Sequence, residues 1–204
     1  MSQIKLKHSG GNSVIIAAPS SNPASDRTLT LPGDADGTVL TTTNPKVGNI
    51  LQVVHVNSNT HLSSTSTSYV DLTGITATIT PASSSNKILI VCSIAISKES
   101  NHSFLGRIVK NGSAISGAGG VAESGHGNQE AGVWWSIRTT SHSANSNTIQ
   151  YLDSPATTSA TTYKAQGKTN NSSQGFSLNK TIGSENNAYA SPAFSSITLW
   201  EVAA

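Results

Sequence analysis

The sequence predicts an all-β protein, with an N-terminal extended β stalk segment followed by a jelly-roll-like β-sandwich head. Three observations carry that prediction. Charged residues make up only 11% of the 204 residues, against ~25% in ordinary soluble domains, and Ser, Thr, Asn and Gly fill the difference. Such a composition forms helices poorly and strands reasonably well. Helix caps followed by long i, i+3, i+4 apolar spacing are absent, whereas apolar residues two apart recur between Gly, Pro and Asn breaks.

Residues 1–43 contain short alternating runs: Ile4 with Leu6, Val14 with Ile16, Leu29 with Leu31, and Val39-Leu40. Gly10-Gly11, Pro19, Pro23 and Pro32-Gly33 separate them. A segment this short does not close a core alone, since folds below ~40–60 residues are marginal without staples. The segment is therefore either disordered or buries its apolar stripes against other copies of itself or a host structure, and the second is the expectation. Pro45 pushes Asn44 out of the helical region, which makes 41–48 a hinge. The division expected is 1–48 for the stalk and 49–204 for the head.

From Ile50 the strands lengthen. Ile50–Val56 is apolar on both faces, and His61–Ser68 reads as a polar link. Gly74–Thr80 alternates, with Ile75, Ala77 and Ile79 inward and Thr76 and Thr78 outward; Pro81 ends it. Lys87–Ser97 is the strongest strand, with Ile88, Ile90, Cys92, Ile94 and Ile96 on one face. Leu89 and Val91 add apolar matter to its other face, so a second layer or a neighbouring subunit must cover them. Phe104–Lys110 follows, and Asn111-Gly112 signals a two-residue hairpin turn. Ser116–Gly132 is glycine-rich and reads as a long exposed loop. Strands are then expected at Val133–Thr139, Asn147–Asp153, Ala160–Gln166, Phe176–Leu178 and Ser195–Val202.

Most chemistry is excluded by what the residues do not do. Net charge is +2, with no basic stripe or aromatic–basic interleave, so a nucleic-acid partner is not expected. The N-terminus lacks an apolar signal-peptide core, and no stretch reaches the ~20 apolar residues of a membrane helix, so no membrane insertion is expected. The single Cys92 sits in an apolar strand and reads as a buried, inert thiol. Six histidines and ten carboxylates are scattered without metal-ligand or catalytic spacing. No cofactor, no metal site and no enzymatic activity are expected.

The aromatic residues offer more. Trp134 and Trp135 are adjacent on one expected strand, which points them to opposite faces. Trp134 then packs at a subunit interface, or forms an exposed platform for a sugar with polar loops supplying hydrogen bonds. Glu123, His126 and Asn128 of the glycine-rich loop are the candidate contacts beside it.

The stretch "IKLKHSGGNSVIIAAPSSNPASDRTLTLPGDADGTVLTT", above all "APSSNPASDRTLTLPGDADGTVL", resembles a segment of fibre-like structural proteins of tailed bacteriophages, especially marine phages infecting cyanobacteria. "GNILQVV", "SYVDLTGITATITPASSSNKILI" and "ITLWEV" are similar to the C-terminal β-domains of such proteins, while roughly 98–190 carries no resemblance. The resemblance implies a virion protein assembled in the host cytoplasm, usually a homotrimer, with an N-terminal attachment region and a distal head. On that reading the chain is a tail fibre contacting a host-surface glycan or protein; the alternative is a head-fibre or decoration protein on the capsid. Three-fold symmetry suits the partner-dependent stripes. The expected interface residues are Ile4, Leu6, Val14, Ile16, Leu29, Leu31, Leu89 and Val91, with other virion proteins holding the N-terminal segment.

Overall fold

A computed structural model of the chain describes residues 3–17, 20–21, 45–98, 102–115, 118–120, 132–137, 144–182 and 192–204. Among them it shows strands and no helix. The chain divides into two compact units, Met1–Val39 and Leu40–Ala204.

In the first unit, β1 (Gln3–Lys7) and β2 (Ser13–Ala17) form an antiparallel hairpin with Ile4 opposite Ile16 and Leu6 opposite Val14. The Gly10-Gly11 break falls in its turn, where Gly10 N–H donates to His8 Nδ1 and Gly11 N–H to the His8 carbonyl. The expected runs at Leu29, Leu31 and 39–40 lie outside the described residues.

The second unit begins with β3 (Ile50–Ser58), a short β4 (Leu62–Ser64), β5 (Val70–Ile79), β6 (Lys87–Lys98) and β7 (Phe104–Lys110). It continues through β8 (Ser113–Ala114), β9 (Trp135–Ile137), β10 (Asn145–Asp153), β11 (Thr161–Thr169), β12 (Phe176–Leu178) and β13 (Ser195–Val202). One sheet runs β3-β13-β6-β10, with β12 and β4 extending the β13 and β3 positions past the end of β13. The other runs β5-β11-β7-β9, with β8 beside β9's row. All pairings are antiparallel. Eight main strands in two sheets, with most successive strands changing sheet, make a jelly roll. The jelly-roll-like sandwich expected from the sequence is what the chain forms.

The core between the sheets follows the alternation of the strands. Ile88, Ile90, Cys92, Ile94 and Ile96 of β6 are fully buried, as are Ile197 and Leu199 beside them. Leu72, Ile75, Ala77 and Ile79 of β5 and Tyr163 and Ala165 of β11 face them from the other sheet. The Asn111-Gly112 turn takes φ of 49° and 84°, the left-handed pair that a two-residue hairpin of type I′ requires. Two expectations are corrected. His61–Ser68 is not wholly a link: β4 pairs there with β12, Leu62 opposite Leu178. The strand expected over Val133–Thr139 is described only as Trp135–Ile137, so alternation does not set the direction of Trp134, and both tryptophans reach the core cluster.

The sandwich has two distinct ends. Gly48 N–H donates to the Ala203 carbonyl and Ala203 N–H to the Asn49 carbonyl, so the chain's entry and its last residues are stitched together. The turns 80–86, Asn111-Gly112 and 154–160 share this near end. At the far end lie the end of β3, the start of β13 and residues 59–69, 102–103, 170–175 and 192–194.

Candidate functional site

In the N-terminal unit, Ile4 is 62% exposed, Leu6 57% and Ile16 58%. These three residues stand on the same face of the hairpin by register. A two-stranded hairpin is marginal alone in water and needs a partner surface. The side chain of Val14, the fourth member of that face, lies outside the described residues, as do Leu29 and Leu31.

The outer face of the β3-β13-β6-β10 sheet carries an apolar row. Register places Val53, Trp200, Leu89 and Leu152 side by side on four adjacent strands. Val53 is 55% and Leu152 52% exposed, while Leu89, Val91 and Trp200 are half-buried. The Trp200 Nε1–H is shielded and has no acceptor among the described residues. The next row is His55, Thr198, Val91 and Gln150, with His55 Nδ1 2.8 Å from Thr198 Oγ1. Among the described residues of this face, only Lys87 at its border carries a charge. Depletion of charge around aromatic and aliphatic side chains is the mark of an interface centre. The sequence singled out Leu89 and Val91; it missed Val53 and Leu152, because only cross-strand register aligns the four.

The outer face of the other sheet is built oppositely. Lys164 Nζ donates to Asp71 Oδ2 at 2.7 Å, Gln166 Nε2 to Asp71 Oδ1 at 2.9 Å, and Arg107 Nε to Gln166 Oε1 at 3.0 Å. The Arg107 guanidinium stacks 3.9 Å from the Tyr69 ring centroid, with Lys168 Nζ 4.8 Å from the same ring. The Lys164 and Gln166 hydrogen bonds hold the Asp71 carboxyl below its ordinary range. This face is already satisfied within itself.

Trp134 is half-buried, its ring 5.2 Å from Tyr151 at 60°, and its N–H donates to the Gly106 carbonyl. It therefore bridges the β9 and β10 edges of the sandwich. Glu123, His126 and Asn128 lie outside the described residues.

Buried polar groups lock both ends. At the near end Glu201, fully buried, accepts from Asn86 Nδ2, Gln52 Nε2 and Ala82 N–H, each at 2.6 Å. Burial disfavours its charge, but the bonds from Asn86, Gln52 and the Ala82 and Ser83 amides outweigh that and hold its carboxyl below the usual range. Asp153 nearby takes the Tyr163 hydroxyl at 2.6 Å and Lys110 Nζ at 2.9 Å. Burial first, then donation to the Asp153 carboxylate, pushes the Tyr163 phenol well above its ordinary pKa. Burial alone raises the Cys92 thiol far from reactivity.

At the far end Asn179 has φ of 59° and is fully buried. Its Nδ2 donates to the Ser58 and Thr60 carbonyls at 2.9 and 3.0 Å, and its Oδ1 accepts from Ser195 Oγ at 2.6 Å. Beside it opens a depression of about 440 Å³ lined by Asn57, Ser58, Asn59, Pro192, Ala193 and Phe194. Phe194 is 67% exposed. Sequence reasoning passed over Phe194, which stands in a connection with no periodicity to mark it. Among the described residues no group of three His, Cys, Asp or Glu stands close enough to hold a metal.

Neither protein-family models nor curated proteins give a match to the chain. Among solved structures, a chain in the structure of infectious bursal disease virus Gx strain is similar, with 12% identity and a TM-score of 0.36. The similarity covers 94% of this chain and 49% of that one, so the chain spans about half its length.

Proposed function

We propose that the chain is a structural protein of a virion, a fibre of tailed-phage type whose N-terminal segment docks on the particle and whose jelly-roll head meets the host surface. The observation that carries this reading is the hairpin, whose Ile4, Leu6 and Ile16 are left open on one face. A hairpin with that face unburied is a docking element in search of its acceptor. The phage-fibre resemblance of residues 4–42 falls on this same segment. No catalytic step is assigned to the chain.

The proposal includes a homotrimer, supported by the uncharged row of Val53, Trp200, Leu89 and Leu152 on the outer face of the head. Apolar surface of that kind is covered in a stable protein, and cyclic symmetry lets identical heads cover it for one another.

The test deletes residues 1–48. The truncated head folds, keeps its β-rich circular dichroism and does not enter particles; normal incorporation of the truncated head overturns the docking role. Binding of the purified full chain to host cells separates the fibre from a capsid decoration protein, which has no need to bind them.

A further inference from the structure

We infer that the depression framed by Phe194, Asn57 and Asn59 is a binding site for a neutral saccharide; the inference deepens the host-surface reading above and rests on it. Phe194 is a large aromatic left 67% exposed, yet the backbone on both sides of it is pinned. Ala193 N–H donates to the Asn179 carbonyl at 3.1 Å. Ser195, fully buried, accepts the Ala95 N–H on its Oγ at 2.9 Å and donates to Asn179 Oδ1. The ring is therefore presented on a rigid base at little entropic cost on binding.

The opposite wall is fixed by the same residue. The two Asn179 Nδ2 bonds to the Ser58 and Thr60 carbonyls set the strand end that carries Asn57 and Asn59. One buried asparagine thus positions both walls, as a positioning residue for the site. Asn57 and Asn59 are exposed, and their side-chain amides make no hydrogen bond among the described residues. Each offers one acceptor and two donors, the complement that vicinal hydroxyls need.

The chemistry selects the ligand class. An exposed ring stacks against the apolar face of a pyranose, while amides bond its hydroxyl edge. The depression, about 440 Å³, falls within the ~300–1,000 Å³ of small-ligand sites. Among the described residues that line it none is charged, and against such a wall an anionic sugar loses hydration without gaining a counter-charge. It also lies at the end of the sandwich opposite the Gly48 entry, where a head held by its N-terminal segment meets a surface.

The experiment applies the full-length chain to a panel of neutral hexose and N-acetylhexosamine oligosaccharides, with sialylated and sulfated members for comparison. The best neutral oligosaccharide is then titrated calorimetrically. Neutral members bind; Phe194→Ala weakens the titrated affinity about ten-fold or more, and the Asn57→Ala, Asn59→Ala double variant weakens it in the same direction. Arg107→Ala on the other sheet leaves it unchanged. Both variants change exposed side chains, and unchanged thermal unfolding verifies that they fold. An unchanged affinity for Phe194→Ala overturns the site, as does binding confined to charged saccharides or binding of none. If host cells still bind the Phe194→Ala chain as they bind wild type, this site falls and the fibre reading stands. If they bind neither, both fall.

Discussion

Gly106 and Gly167 stand opposite each other across β7 and β11, and the ring of Phe104 lies over both. A Cβ at Gly167 would come within 2.7 Å of Phe104 Cζ, and one at Gly106 within 2.9 Å of Phe104 Cε1. The paired glycines make the hollow that lets Phe104 reach Phe176 edge-on at 4.9 Å, closing the far end of the core. Gly167→Ala forces that ring to move and costs about 1–3 kcal/mol, in the range of overpacked cores. Urea denaturation followed by tryptophan fluorescence reads the loss; an unchanged midpoint refutes the close approach.

The Glu201 carboxylate stabilises the fold in a pH window that its lowered pKa defines. A group depressed in the folded state contributes its stability above its unfolded pKa, and that contribution disappears as pH falls through the folded one. Thermal stability therefore declines as pH drops below about 4–5. Asp71 titrates with the same sign, so the measurement compares Asp71→Asn with the Asp71→Asn, Glu201→Gln double variant. The double variant shows the flatter acid limb. Glu201→Ala goes further: it strands the donors of Asn86, Gln52 and Ala82 and costs roughly 1–3 kcal/mol at neutral pH.

Asn179 combines a left-handed backbone with a saturated amide. Asn179→Gly keeps the backbone but forfeits the bonds, a loss of roughly 1–3 kcal/mol. Asn179→Ala adds the strain of positive φ and is the worse of the two. Equilibrium denaturation of the pair gives that ranking, and the reverse order would mean that the left-handed backbone imposes no strain on alanine; a loss near zero for Asn179→Gly would mean that the amide carries nothing.

Leu152 stands in the apolar row of the head and is 52% exposed, so Leu152→Lys leaves the fold intact while placing a charge in the proposed subunit contact. Light scattering coupled to size exclusion then reads the proposed trimer for the wild type and smaller species for the variant. A wild-type monomer, or a variant that assembles normally, removes this face from the interface.

Cys92 resists modification because it is fully buried with its thiol held protonated. A thiol-specific disulfide reagent labels it only on unfolding, at the rate of the global transition; rapid labelling of the folded chain would contradict the core assignment.

Much of this architecture was legible in the chain. Ile88 to Ile96 and Ile75 to Ile79 announced buried faces by period alone, and Asn111-Gly112 announced its turn by the backbone those two residues prefer. Contacts made across strands were not legible. Val53, Trp200, Leu89 and Leu152 are separated by up to 147 residues of sequence (200 − 53 = 147), and nothing local says that they share a row. Glu201 and Asn179 were hidden for another reason: composition treats polar residues as surface, and only the fold supplies the donors that let these two be buried. Trp134 was misdirected because strand alternation was started at Val133, two residues before β9 begins.

The stitch between Gly48 and Ala203 has a mechanical meaning. A load applied between the chain's entry and Phe194 draws β3 by its Ile50 end and β13 by its Ser195 end, in opposite directions along one antiparallel ladder. That ladder is sheared lengthwise, so its hydrogen bonds share the tension together and do not open one after another. On the proposed reading, in which the head is tethered at one end and grips at the other, this wiring resists its being pulled off.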